Sequence, residues 1–232
     1  MKRFTAIVLA AGLGKRMNGK MPKQYLLLEH KPILYYSLKA FEESPVDDMI
    51  LVVAAGEEEF CKREIVERFK LKKVRSVVSG GKERYHSVYE GLKAAQNTDY
   101  VLIHDGARPF IQDDIIQRSI EAVIKYDACV VGMPVKDTIK ILDEAHFVGD
   151  TPKRNLVWQI QTPQTFAYPL IFSAYQEIIK TEDIQITDDA MVLEYMTGKK
   201  IKVVEGDYRN IKITTPEDMA VARAYASEYQ FS

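Results

Sequence analysis

Charge of one sign is missing from this chain: 32 Lys and Arg stand against 33 Asp and Glu over 232 residues, a formal net charge of -1. No global field draws such a protein onto nucleic acid or an anionic membrane, so any affinity for phosphate has to be built locally. Long apolar runs are missing too, since no stretch approaches the roughly 20 residues of a membrane span. Cysteine is scarce, with only Cys61 and Cys129, far apart in sequence. Cys129 sits in the apolar run Ala128 to Val131 and reads as a buried, inert thiol; Cys61 reads as an unpaired helical one, as suits a reducing cytoplasm. Lys2-Arg3 ahead of Phe4 to Ala11 mimics a short signal peptide, but that run is at the short limit and flows straight into a Gly-Lys-Arg loop, so the expected location is cytoplasmic. Repeats, low-complexity segments and linkers are absent, and with 47% hydrophobic residues the expectation is one domain over 1–232.

What is present is an alternation. Apolar runs at Thr5 to Leu9, Met49 to Ala54, Arg75 to Val78, Tyr100 to His104 and Ala128 to Gly132 alternate with amphipathic patterns at Ile33 to Glu42, Glu57 to Phe69, Arg84 to Ala95 and Asp113 to Lys125. This predicts an α/β fold, doubly wound around a mostly parallel sheet. In the last of these helices Ile115, Ile116, Ser119, Ile120, Val123 and Ile124 share one face and read as core. After Pro134 polar and apolar residues alternate through Val135 to Leu142, a turn-like Asp143-Glu144-Ala145-His146 follows, and 147–158 is polar and broken by Gly149 and Pro152. The pattern predicts an antiparallel arm at about 135–158. Helices at Pro169 to Thr181 and Asp188 to Thr197, a strand at Lys200 to Val204 and a helix from Pro216, begun by Thr215, close the chain.

The stretch Ala10 to Lys23, AAGLGKRMNGKMPK, follows the first strand. Gly12 and Gly14 let backbone N–H groups come close to a polyphosphate, and Arg16 and Lys23 add charge that loop dipoles alone cannot supply. Two familiar glycine loops are excluded by what this one lacks. A P-loop would continue Gly-Lys-Ser/Thr, whereas Lys15 is followed by Arg16 and no hydroxyl is placed to hold magnesium. The dinucleotide fingerprint needs a third glycine where Met17 stands, and an acidic ribose clamp where Ala54-Ala55-Gly56 stands. Glycine backbone, an Arg and a later Pro-Lys together resemble the triphosphate loop of the nucleotidyltransferases that activate sugars and polyols.

Loops after parallel strands gather at one sheet edge, where ligands bind. Ser79-Gly80-Gly81-Lys82-Glu83-Arg84 opens a helix with Ser87 near its start and suits a base edge or a phosphate. Asp105, ending the fourth strand, is placed to bind Mg²⁺ whose remaining ligands are phosphate and water, and equally to cap a turn. Arg108 could grip a second anion or bridge its own loop. His104 reads as a satisfied, partly buried side chain, because a phosphate nucleophile already ionised at pH 7 needs no general base. Thr187 reads first as the N-cap of the helix after it, Lys212 as an exposed strand lysine, and Asp207 and Arg209 as surface residues.

In chain order AAGLGKRM, PKQYL, GGKERYHSV, HDGARPF, PVKDTIK, QTPQTF, TDDA and NIKITTPED resemble the 2-C-methyl-D-erythritol 4-phosphate cytidylyltransferase family over nearly the whole length. Ribitol-5-phosphate cytidylyltransferases share most of these motifs and compete on substrate. The resemblance implies transfer of CMP from CTP to a polyol phosphate with loss of pyrophosphate, a Mg²⁺ requirement, and a homodimer formed through the arm. It implies a triphosphate loop of Ala10, Ala11, Gly12 and Gly14, with Arg16, Lys23 and Lys212 as the catalytic cations. Gly81, Lys82, Arg84 and Ser87 would form the cytosine and ribose site, Lys82 through its backbone because the family often has Asp there. Gly106, where many relatives have Ala, would lie beside the nucleotide, and Asp105 would hold the metal and face the substrate. Arg108, Thr138, Arg154, Thr162, Thr187 and Lys212 would cradle the polyol phosphate, Thr138 and Arg154 serving the neighbouring subunit.

Overall fold

The computed structural model describes residues 2–12, 22–181 and 185–229; Gly14 and Arg16 lie outside them. Strand β1 (Phe4–Ala10) is followed by a short hairpin, β2 (Leu27–Leu28) and β3 (Lys31–Pro32), and helix α1 (Ile33–Glu43). Then come β4 (Asp48–Val53), α2 (Glu58–Cys61), β5 (Val74–Ser79), α3 (Arg84–Ala94), β6 (Tyr100–Asp105), α4 (Asp113–Tyr126) and β7 (Ala128–Pro134). The arm holds β8 (Ile141–Leu142) and β9 (Val148–Asp150), and the chain finishes with β10 (Trp158–Ala167), α5 (Tyr168–Ile178), α6 (Asp189–Thr197), β11 (Lys202–Glu205) and α7 (Pro216–Tyr229).

Seven strands form one sheet in the order β11-β7-β10-β6-β1-β4-β5. All neighbours are parallel except β10, which runs antiparallel to both β6 and β7. The fold is therefore the expected doubly wound α/β arrangement around a mostly parallel sheet. Both faces are covered because each strand feeds side chains to two cores: Ala6, Val8 and Ala10 pack with Leu34, Leu38 and Phe41 of α1 and with α4, while Ile7 packs with Val88 and Leu92 of α3 and Tyr175 of α5. A third cluster seats α7, through Met219 and Ala222, on Leu28, Ile33, Phe110 and Ile213. Register puts Leu9 beside Asp105, Ala10 beside Val53 and Val53 beside Ser79, so the carboxyl ends of β1, β4, β5 and β6 share one edge.

Several local expectations are corrected. The return leg of the arm continues into β10, a ten-residue strand in the middle of the sheet. Its sequence, WQIQTPQTFA, hides this: it carries a proline, and Gln161, Thr162, Gln164 and Thr165 are buried where a central strand would show apolar residues. The ladder is irregular between Ile160 and Gln164, which makes room for Pro163. Of the alternating run at 135–142 only Ile141 and Leu142 pair, with Asp150 and Val148. The helix expected over Glu57 to Phe69 widens into a π-type segment at Lys62–Glu67. Ile124 is 41% exposed, so the apolar stripe of α4 stops at Val123.

Candidate active site

Two glycine-bearing loops meet where β1 and β5 end. Gly80 N–H donates to Val53 O at 2.7 Å, and a Cβ on Gly80 would lie 2.6 Å from Ala11 Cβ and 2.7 Å from Ser87 Oγ, so only glycine lets the loops approach this closely. Ser87, buried, accepts the Gly81 N–H at 3.1 Å and thereby shapes the loop it belongs to. Across the gap, Gln24 is anchored by donating to Ala10 O at 2.7 Å, Tyr25 by donating to Glu57 at 2.6 Å, and Lys23 Nζ reaches Ile213 O at 2.8 Å. Between these walls lies a cavity of about 470 Å³, lined by Ala10, Ala11, Gly12, Lys23, Gly81, Lys82, Arg84, Ser87, Asp105 and Lys212, with Gln24 and Thr214.

A second cavity of about 200 Å³ adjoins it, lined by Arg108, Thr162, Thr187, Gln164 and Asp188 and sharing Arg84, Asp105 and Lys212 with the first. The shared residues form a charge cluster. Asp105 Oδ2 is 2.9 Å from Lys212 Nζ and 3.5 Å from Arg108 Nε, and Oδ1 is 3.6 Å from Arg84 Nε. Burial works against ionisation of Asp105, but Arg84, Lys212 and Arg108 outweigh it and hold the carboxyl well below the usual carboxylate range. Arg84 in turn is gripped bidentately by Asp189, at 2.7 and 2.8 Å, and although burial opposes its charge, Asp189 and Asp105 raise its pKa further. Three cations against two carboxylates leave the cluster at +1, and Lys23 stands nearby.

The support behind Arg84 was not visible in the sequence. Asp189, with no exposed surface, accepts from Tyr175 Oη at 2.6 Å, while Gln164 Oε1 accepts the N–H groups of Asp189 and Ala190. Asp188, not Thr187, caps α6, accepting from Met191 N at 2.9 Å; Thr187 is exposed with its hydroxyl on Met191 Sδ. Asp189→Asn should destabilise the protein by about 3 kcal/mol, because Arg84 keeps its charge and loses its buried partner. Urea unfolding of both proteins measures this, and a difference under about 1 kcal/mol would show the pair to be dispensable.

Lys212 is not in a strand; it lies in an irregular segment between buried Asn210 and Ile213, whose N–H donates to Ala107 O. Gly106 lines neither cavity. Its N–H closes on Leu9 O at 2.9 Å, and a Cβ there would meet Leu34 Cδ1 at 2.8 Å and Leu9 O at 3.0 Å. Thr138 and Arg154 are exposed on the arm and line neither cavity; Arg154 donates to Lys136 O. His104 is wholly rather than partly buried, and burial, aided by Arg108, pushes it down to about 4, so the ring is neutral at physiological pH. Asp207 and Arg209 pair with each other at 2.7 Å. Among the described residues no group of three or more His, Cys, Asp or Glu side chains could hold a metal by itself.

A crevice at the carboxyl ends of parallel strands, floored by glycine backbone and ringed by lysine and arginine, belongs to an enzyme that handles nucleoside phosphates, and the class it defines is the nucleotidyltransferases. The family model of 2-C-methyl-D-erythritol 4-phosphate cytidylyltransferase matches residues 4–228, and the chain belongs to that family. Its reaction is the family's: CMP passes from CTP to methylerythritol phosphate, pyrophosphate leaves, and the product serves isoprenoid precursor synthesis. The chain is 49% identical to the enzyme of that name from Lachnoclostridium phytofermentans over 230 residues, 99% of each protein, and 50% identical to that of Alkaliphilus oremlandii over 224 residues, 96% and 94% of each. The crystal structure of 4-diphosphocytidyl-2C-methyl-D-erythritol synthase from Anaerococcus prevotii is similar at a TM-score of 0.87 and 37% identity, covering 97% of this chain and 96% of that one. The Francisella tularensis enzyme is similar at 0.80 and 29%, covering 96% and 99%.

Proposed function

We propose that the larger cavity takes CTP and the smaller one the phosphate of the polyol, with Asp105, Arg84 and Lys212 standing where the reacting groups meet. The observation that carries this is that these three side chains line both cavities. In this reading the backbones of Ala10, Ala11, Gly12 and Gly14 hold the triphosphate, and Gly81, Lys82 and Ser87 border the base and ribose. Arg84 is the exception among that group, because its guanidinium is committed to Asp189 and points at the shared cluster.

Two polyanions must be brought to bonding distance, and that is an electrostatic problem. A phosphate-monoester oxygen forms a bond to the α-phosphorus as the bond to the pyrophosphate oxygen breaks, the electron pair leaving with pyrophosphate. Lys23 and Arg16 neutralise charge on the triphosphate side. Arg108 and Lys212, which stand 3.5 and 2.9 Å from Asp105 and both line the smaller cavity, hold the incoming phosphate. A single ionised carboxylate suits Mg²⁺ when phosphates and water supply its other ligands, and Asp105 meets that requirement. The ion, when bound, would add to the charge neutralisation.

Thr138 and Arg154 serve the site of a second copy, in a homodimer made through the arm. Exposed Phe147, Val148 and Leu156 on the arm, 72%, 58% and 74% accessible, support that contact. The free, buried thiols of Cys61 and Cys129 support a cytoplasmic location. Pyrophosphate release tests the substrate assignment, with CTP, ATP, GTP and UTP crossed against methylerythritol phosphate and ribitol 5-phosphate under Mg²⁺. Release is expected with CTP and methylerythritol phosphate; equal rates with ribitol 5-phosphate would overturn the polyol assignment.

A further inference from the structure

His104 plays no part in the chemistry above, yet it is fully buried beside the site, its ring edge-on to Phe41 with centroids 5.2 Å apart. Its Nε2 lies 3.2 Å from Arg108 O, a carbonyl that can only accept, so this nitrogen carries the proton. The ring is fully buried and its nitrogens face a carbonyl and a hydroxyl rather than a carboxylate, so a second proton has no counter-charge to hold it; Nδ1 then offers a lone pair, 3.0 Å from Thr162 Oγ1, and the Thr162 hydroxyl donates its single hydrogen there. The same oxygen accepts the Asp105 N–H at 3.1 Å. Three bonds thus run in one direction, from the Asp105 N–H through Thr162 and His104 to Arg108 O. They tie both ends of the turn that presents the Asp105 carboxylate and the Arg108 guanidinium.

We infer that His104 is a positioning residue that holds the Asp105 to Arg108 turn through Thr162, and that it leaves Thr162 in the smaller cavity as a hydrogen-bond acceptor only. Thr162 has one lone pair over, which can take a polyol hydroxyl; it has no hydrogen for a phosphate oxygen. Within the cradle that the family resemblance implies, Thr162 then faces the polyol hydroxyls, and the phosphate is left to Arg108 and Lys212. This rests on the smaller cavity holding the polyol phosphate.

Nitrogen-15 NMR of the full-length, histidine-labelled protein at pH 7 tests the first half without any substrate. The Nε2–H tautomer is expected for His104; an Nδ1–H or doubly protonated ring overturns the inference and leaves the transferase reading untouched. Kinetics test the second half. Thr162→Ser should stay within about threefold of the parent, and Thr162→Val should lose about tenfold in kcat with competitive inhibition by inorganic phosphate unchanged. Tenfold weaker inhibition by phosphate in Thr162→Val would make Thr162 a phosphate donor and defeat the proposal. His104→Asn should reproduce the kcat loss, and the double variant should be no worse than the poorer single one. Multiplying losses would show that the two side chains do not act through one chain of bonds.

Discussion

Lys23→Ala is expected to lower kcat about a thousandfold while weakening CTP binding only a few-fold, the signature of a cation whose main partner is charge that develops in the transition state. On the proposed assignment ground-state affinity is spread over many groups, because Ala10 to Gly12, several cations and the Gly81 to Ser87 segment line the same cavity. The substitution should leave the fold intact, because the turn at Lys23–Tyr25 is fixed by its neighbours, Gln24 to Ala10 O and Tyr25 to Glu57. Single-turnover kinetics and calorimetric titration with CTP separate the two effects. Turnover near the parent's would remove Lys23 from the mechanism.

Asp105→Asn should cost about a thousandfold in kcat as well, and unlike Lys23→Ala it should also cost stability. With the charge removed, Arg84, Arg108 and Lys212 converge on a neutral amide, and the cluster rises from +1 to +2 with only Asp189 opposing it. The pH dependence follows from the direction of the shift. Burial disfavours the ionised Asp105, the three cations more than compensate, and its folded-state pKa lies below the ordinary 3.8. Its stabilising contribution is therefore fully present above the unfolded value and lost as pH falls through the folded one. The stability gap between parent and variant should hold constant from neutral pH to about pH 4 and close below it. A gap that closed nearer pH 6 would mean Asp105 is not ionised in the way the cluster requires.

Much of this site could be read from the chain because its signals are local. Glycines beside the ends of apolar runs, and Asp105 at the end of β6, mark the sheet edge within a few residues of the strands that create it. Residues whose role depends on distant partners could not be read this way. Arg84 and Asp189 are 105 positions apart, and nothing near either betrays the pairing. Lys212 sits in an alternating Ile and polar run that imitates a strand, but its neighbours are fixed by a hydrogen bond to Ala107 and by the packing of Ile213 against α7. β10 was obscured because it buries polar side chains that bond to distant parts of the chain, as when Gln161 donates to the Asp207 carbonyl and Gln164 to the Asp188 carboxylate. Hydrophobic periodicity cannot report a strand buried on polar terms.

That strand also makes the arm and the chemistry a single mechanical piece. β10 begins at Trp158, where the arm ends, and passes without a linker to the irregular step at Thr162 before reaching Ala167. At roughly 3.4 Å per residue, four residues carry a pull on the arm about 14 Å to the oxygen that receives the Asp105 N–H. The seat of the arm and the placement of Asp105 then depend on one strand, so on the proposed site assignment a truncation at 141–150 is expected to disturb Asp105 without removing any residue that lines either cavity.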